Sequence, residues 1–276
     1  MSTVVKEAAK TQSQSVNIKT TSDVLDISED FYSVQCEGDT TGVPAYFIRL
    51  RSCNLMCGGK DGSLMKDGKA TWWCDTEAVW RKGLQKPFEY LVDRWTDEGI
   101  LDWVKEGKVN LIWTGGEPAL PRHQKAITSF IDWFYKNYWS PTTPITLYNE
   151  IETNGTLYLE DDLFTDLDQI NCSVKLANSG MEKKRRIKPE ALERIMSHKN
   201  YWFKFVISTE ECLKEIEEDF ITPFNIPHDR VLMMPGLDSQ KNFHERTRFC
   251  LEMAKKYGYR GLSRLHVSAW DKLTGV

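Results

Sequence analysis

Residues 45–57, AYFIRLRSCNLMC, decide the fold. The run at 45–50 has the aromatic and β-branched content of a strand, and Cys53 and Cys57 follow it at once. Soft nucleophilic side chains just beyond a strand end belong to α/β proteins, where chemistry gathers at the carboxyl ends of parallel strands. Further runs at 109–113, 145–151, 169–175, 202–207, 231–234 and 262–267 also read as strands. Helical patterns lie between them. The clearest is Pro121–Tyr138, where Ile127, Phe130, Ile131 and Phe134 recur at helical spacing behind a proline suited to a first turn, and its aromatics read as core packing. Strand–helix alternation over this length predicts a parallel sheet with crossover helices, either doubly wound or closed into a barrel. The one irregular stretch, GGKDGSLMKDGKAT at 58–71, reads as an exposed loop.

The chain has 276 residues, enough for one well-filled core. The expected organisation is a catalytic domain over 26–276 behind a flexible N-terminal arm over 1–25, which is rich in Ser, Thr, Lys and Gln without hydrophobic period; the folded part is expected to begin near Phe31. Forty acidic against 36 basic residues leave a net charge of −4, which argues against gripping a nucleic-acid backbone. The basic run Lys183, Lys184, Arg185, Arg186 and Lys188 reads as a solvated loop or helix end. No stretch approaches the ~20 apolar residues of a membrane span, and the N-terminus lacks a signal-peptide core, so the expected location is the cytoplasm. Seven cysteines, an odd number, do not make a disulfide framework in a reducing compartment. Metal binding explains a cluster of them better.

Cys53, Cys57 and Cys74 form that cluster. Three thiolates near a strand end could hold three irons of a [4Fe–4S] cluster and leave the fourth open. On spacing alone they could also be three unrelated cysteines, or a zinc site without its fourth ligand. The five histidines, His123, His198, His228, His244 and His266, show no metal spacing, and Cys172, Cys212 and Cys250 read as structural.

The neighbouring residues add a resemblance. Arg49-Leu-Arg-Ser-Cys53-Asn-Leu-Met-Cys57, Trp73-Cys74-Asp75-Thr76 and Thr114-Gly115-Gly116-Glu117-Pro118 resemble the radical S-adenosylmethionine (SAM) superfamily, and within it the 7-carboxy-7-deazaguanine synthases of queuosine and deazapurine biosynthesis. The segment 31–38, FYSVQCEG, looks like that family's substrate segment; Glu152-Thr153-Asn154-Gly155 and Ser173-Val174-Lys175 look like its cofactor strands.

The resemblance implies an α/β fold, a partial (β/α)6-type barrel. It implies a lyase that reduces SAM, bound on the open iron of a [4Fe–4S] cluster, to a 5′-deoxyadenosyl radical. The radical takes hydrogen from 6-carboxy-5,6,7,8-tetrahydropterin, and ring contraction with loss of ammonia gives 7-carboxy-7-deazaguanine with the help of Mg²⁺. It implies cluster ligation by Cys53, Cys57 and Cys74, and Mg²⁺ at Thr76. SAM would meet Trp73, Cys74, Asp75, Gly115, Gly116, Glu117, Asn154, Ser173, Val174, Lys175, Met234, Pro235, Gly236 and Leu237, the two glycines letting backbone approach its methionyl moiety. The pterin would meet Val34, Gln35, Cys36, Glu37, Arg49, Thr114 and Val276. Gln35 and Glu37 suit its amide-like edge and Arg49 its carboxylate. An electron donor such as flavodoxin or ferredoxin and a homodimer complete the expectation.

Two features depart from the family pattern. The compact cysteine motif is stretched by the loop at 58–71, and Cys36 replaces a small glycine, as a buried packing thiol. A competing enzyme class is a radical SAM activase that makes a glycyl radical on a partner protein, which need not keep Gln35, Glu37, Arg49 and Thr76. A non-enzymatic alternative, an iron–sulfur or zinc-stabilised RNA-binding module, would leave the GGEP and CDT motifs without purpose.

Overall fold

The computed structural model describes residues 23–236, 240–273 and 275–276. Its strands are β1 (Val24–Val34), β2 (Pro44–Leu50), β3 (Leu84–Pro87), β4 (Asn110–Gly115), β5 (Asn149–Thr153), β6 (Gln169–Cys172), β7 (Tyr201–Ile207), β8 (Val231–Pro235) and β9 (Arg260–Gly261). Its helices include α1 (Glu89–Asp97), α2 (Pro121–Tyr138), α3 (Pro189–Met196), α4 (Phe243–Tyr257) and α5 (Leu265–Trp270). The strands form one nine-stranded sheet in the order β3-β1-β2-β4-β5-β6-β7-β8-β9. From β2 to β9 every pairing is parallel, whereas β1 runs antiparallel to β2 and β3.

Alternation along the strands sorts the two faces. Tyr46, Ile48 and Leu50 on β2, Leu111 and Trp113 on β4, Ile151 on β5, Phe203 and Phe205 on β7 join one apolar cluster with Ile127, Phe130, Ile131 and Phe134 of α2. Trp113 meets Phe130 edge to face at 5.6 Å. Burial of such a ring contributes about 2 kcal/mol, so this seam is what makes Pro121–Tyr138 a helix docked on the sheet. The opposite face carries a small apolar patch of Ala45, Phe47 and Ile112, and beyond it buried polar side chains: Asn110, Thr114, Glu150, Asn171 and Lys204.

The sheet curls around this polar face. The turn after β1 places Gln35 against Glu150 of β5 and Glu37 against Lys204 of β7. Beyond β9, Arg264 also reaches Glu37. This is the open, partial (β/α) barrel that was expected.

Several element boundaries differ from the sequence reading. Among the described residues the first strand, β1, begins at Val24, well before Phe31 and two residues inside the expected arm, because Leu25 and Ile27 alternate into the core while β3 pairs along the strand's outer edge. Residues 1–22 of that arm lie outside the described residues. The run at 145–151 becomes strand only at Asn149, since Thr146 N–H bonds the Lys105 carbonyl instead. The run at 262–267 splits. Leu262 N–H still bonds Met233, but Leu265 N–H is captured by the Cys36 carbonyl and α5 begins there.

Candidate active site

A pocket of about 630 Å³ opens at the carboxyl ends of β2 and β4 to β8, within the size range of small-molecule sites. Trp73, Cys74, Asp75, Gly115, Gly116, Asn154, Ser173, Lys175, Met234 and Gly236 line it, as do Val34, Gln35, Cys36, Glu37, Arg49, Thr114 and Val276. Cys53, Cys57 and Thr76 complete the set brought together. Glu117, Val174 and Pro235 are not among its lining residues, and Leu237 lies outside the described residues.

The cysteine end is built by the β2 strand end and the loop that follows. Cys74 N–H bonds the Cys57 carbonyl at 3.1 Å, closing that loop. Gly58 N–H bonds Ser179 and Thr71 N–H bonds Asn178, so both ends of the 58–71 loop are tied to the segment after β6. Donors already point at the sulfurs: Leu55 N–H at Cys53 Sγ (3.4 Å), Asn154 Nδ2 at Cys53 Sγ (3.8 Å) and Trp80 Nε1 at Cys74 Sγ (3.5 Å). Burial pushes the Cys53 thiol up to about 12 and the Cys57 thiol up to about 11, so metal must displace protons to bind. Among the described residues no three Cys, His, Asp or Glu side chains are grouped to hold a single metal ion. A [4Fe–4S] cluster gives each thiolate its own iron, and three soft ligands with aimed N–H donors fit such a group.

The glycine pair lines the pocket and also has a packing role. A Cβ on Gly115 would lie 2.3 Å from Leu50 N, and one on Gly116 would lie 1.9 Å from the Ser52 carbonyl oxygen. Gly115 also has φ +116°, a backbone state that favours glycine. The missing side chains let the β4 end press against the backbone that leads to Cys53, with Gly116 N–H and Glu117 N–H bonding Leu50 and Ser52. Close packing of the chain on itself demands these glycines.

Glu117, expected at SAM, is fully buried and accepts bonds from Thr153 Oγ1 (2.6 Å), Asn154 N (2.8 Å) and Ala119 N (2.9 Å). Burial pushes its carboxyl up and those donors oppose the rise. It clamps the β5 end to the β4 end and so aims Asn154. Val174 and Pro235 are buried alternates of pocket-lining neighbours: Ser173 and Lys175 flank the first, Met234 and Gly236 the second. Lys175 Nζ donates to Ser173 Oγ at 2.7 Å and lies 5.7 Å from the Trp72 ring centroid.

At the other end of the pocket, charge dominates. Glu37 accepts Lys204 Nζ at 2.6 Å and Arg264 Nε at 3.0 Å. Burial alone would raise its carboxyl, but Lys204 and Arg264 outweigh it and hold it well below the usual range. Arg264 also pairs with Asp75; there too desolvation is overcome and the carboxyl lies low. Gln35 is buried, donating to Glu150 (2.9 Å) while its Oε1 accepts Cys36 N and Glu37 N. Thr114 Oγ1 donates to Glu152 at 2.8 Å. Arg49 Nε stands 3.0 Å from Glu29 with its guanidinium beside the Phe31 ring. Cys36 is buried, as expected, its thiol up to about 11 by burial and by Glu37.

Lys204, Arg264, His266 and Glu152 line the pocket without having been singled out as site residues. Lys204 left a signal: one lysine inside the apolar run YWFKFVI of β7. Arg264 left none, because its stretch read as strand.

No protein-family model matches the chain. The 7-carboxy-7-deazaguanine synthase of Rhodopirellula baltica is 30% identical over 265 residues, covering 91% of this chain and 88% of the relative. The synthase of Clostridium acetobutylicum is 31% identical over 209 residues, 72% of this chain and 76% of its own. That of Pyrobaculum aerophilum is 27% identical over 253 residues, covering 90% and 96%. The crystal structure of QueE from Escherichia coli shares the fold, with a TM-score of 0.57 at 21% identity over 88% of this chain and 95% of that one. By its likeness to these synthases along most of its length, the chain belongs to the 7-carboxy-7-deazaguanine synthase family.

Proposed function

We infer that this chain is a radical SAM lyase that converts 6-carboxy-5,6,7,8-tetrahydropterin to 7-carboxy-7-deazaguanine with loss of ammonia, and that residues 26–276 act as one catalytic unit. The observation that carries the residue roles is the convergence of Cys53, Cys57 and Cys74 with Gln35, Glu37 and Thr114 on one pocket. Cys53, Cys57 and Cys74 would hold a [4Fe–4S] cluster, which when bound supplies the electron for cleaving SAM into the radical that starts the reaction.

The chain's own residues bind, orient and exclude water. Trp73, Asn154, Ser173, Lys175, Met234 and Gly236 surround the place for SAM beside the cysteines. Glu37, held as a carboxylate by Lys204 and Arg264, is an acceptor for the N–H edge of the pterin. Arg49 would exchange Glu29 for the substrate carboxylate. Thr76 Oγ1, 3.4 Å from Cys74 Sγ, would give Mg²⁺ one oxygen, substrate and water supplying the others. Val276 closes the rim.

All seven cysteines are free, which supports a reducing, cytoplasmic location, and no described helix is long and apolar enough to cross a membrane. We further propose a homodimer and a flavodoxin- or ferredoxin-like donor. The donor would meet exposed Lys60, Lys66 and Lys69 of the 58–71 loop, and Arg185, which bonds the Asn54 carbonyl next to Cys53. Unchanged carrier-driven turnover after deletion of the 58–71 loop would remove that docking face.

The test of function is an anaerobic assay of the reconstituted protein with SAM, dithionite, Mg²⁺ and the tetrahydropterin, read by mass spectrometry. 7-Carboxy-7-deazaguanine with 5′-deoxyadenosine is expected. Deoxyadenosine alone would reopen the substrate, and neither product from a fully loaded protein would sink the reading.

A further inference from the structure

Glu150 lies on β5 two residues before Glu152, is fully buried and does not line the pocket. Four donors converge on its carboxyl: Gln35 Nε2 at 2.9 Å, Thr40 Oγ1 at 2.8 Å, Asn110 Nδ2 at 3.4 Å and Asn171 Nδ2 in a short contact. Two come from the turn between β1 and β2, the others from β4 and β6, the strands that flank β5. One carboxylate thus fastens the hairpin turn to the floor of the barrel. A carboxylate is the side chain for this place, because its oxygens accept several bonds and donate none.

The turn matters because of what it presents. With Nε2 held by Glu150, and within 3.5 Å of Glu152, the Gln35 amide has only one useful orientation. Its carbonyl oxygen then accepts Cys36 N–H at 2.9 Å and Glu37 N–H at 3.2 Å. Those bonds set the backbone from which Glu37 reaches Lys204 and Arg264. We propose that Glu150 is a positioning residue for the reaction: through the Gln35 amide it sets the register in which the turn offers Glu37 to the pterin, an inference that rests on the substrate reading above.

Burial pushes the Glu150 carboxyl up to about 7; the Thr40 bond opposes this, and neighbouring Glu152 adds to it. Tyr148 also senses Glu150, whereas β4 and β6 present to it the amides of Asn110 and Asn171 and the turn presents Gln35 and Thr40. The deprotonated form, favoured at higher pH, accepts all four donors. Its protonation as pH falls adds a hydrogen among them and frees the Gln35 amide to turn.

The experiment compares wild-type holoenzyme with Glu150→Gln and Glu150→Asp in pterin KM, kcat, SAM KM and the ratio of 5′-deoxyadenosine to product, with 6-carboxypterin binding followed by calorimetry. Glu150→Gln is expected to raise pterin KM about tenfold, the weight of one misplaced hydrogen bond, with SAM KM unmoved and more uncoupled deoxyadenosine. Glu150→Asp is expected to recover part of the loss. Wild-type pterin KM should rise as pH falls from about 8 to about 6, and that slope should vanish in Glu150→Gln. Equal rises in pterin and SAM KM would mark a general structural role and overturn the proposal. If the variant does not fold, a wild-type KM flat across that range does the same. Pterin turnover with Glu150→Gln matching wild type sinks the proposal alone; a wild type that binds no pterin sinks the substrate reading with it.

Discussion

Around Cys53, Cys57 and Cys74 the pocket wall is mostly backbone: Gly115 and Gly116 pressed on Leu50 and Ser52, and N–H donors aimed at sulfur. Around Glu37 the wall is charge: Lys204 of β7 and Arg264 beyond β9, both far along the chain, are brought to one carboxylate. The first end is steric and tolerates no added atom. The second is electrostatic, and should tolerate a change of shape far better than a change of charge. Under the proposed function, a group that needs soft ligands and a close fit would meet the first, and a polar heterocycle with a carboxylate the second.

The comparison breaks most visibly at the cysteines. Cys53→Ala should abolish both product and deoxyadenosine and prevent the brown absorbance of a reconstituted cluster; a variant that still loads and turns over would exclude Cys53 as a ligand. Gly116→Ala tests the steric claim next. Its Cβ would meet the Ser52 carbonyl, so the β4 end must move off the cysteine loop, at a cost of about 3 kcal/mol in stability and with poor cluster loading. Unchanged thermal unfolding would mean the close approach is not needed.

Lys204→Met tests the charged end, keeping length while removing charge. The Lys204 side chain is 5% exposed and that of Glu37 14%, so a buried carboxylate loses one of its two cationic partners and keeps only Arg264, costing about 2 kcal/mol. Pterin KM should rise about a hundredfold while SAM KM stays near wild type. The pH sign follows from Glu37, whose folded carboxyl lies below its unfolded value. The stabilisation is present above about pH 4.5 and lost as pH falls through the folded value, and Lys204→Met should flatten that acid-side loss. A parallel rise in SAM KM would deny the two ends their independence.

Sequence reading reached these ends unequally. The cysteine end is made of contiguous motifs, each just past a strand, so their order along the chain already placed them together. The ion pairs of Glu37 join residues 167 and 227 positions apart. No periodicity connects such residues; only the curl of the sheet does. The parallel strands and the amphipathic helix Pro121–Tyr138 were legible because burial imposes a period. β1 was obscured by the polar residues that border it, and the stretch after β9 by a backbone bond from Leu265 to Cys36 across the barrel.

The smallest effect separates scaffold from ligand within one motif. Glu117 holds Thr153 and the backbone N–H groups of Ala119 and Asn154, so Glu117→Gln must set an amide NH₂ against one of those donors. The expected loss is about 2 kcal/mol in thermal unfolding, with SAM KM changed less than about threefold below the melting transition. The carboxyl is pushed up by burial, so wild type should lose stability as pH rises from about 4.5 toward that higher folded value, a slope missing in the variant. A large rise in SAM KM at unchanged stability would instead return Glu117 to the cofactor, and the backbone-built end of the pocket would then hold a side-chain ligand after all.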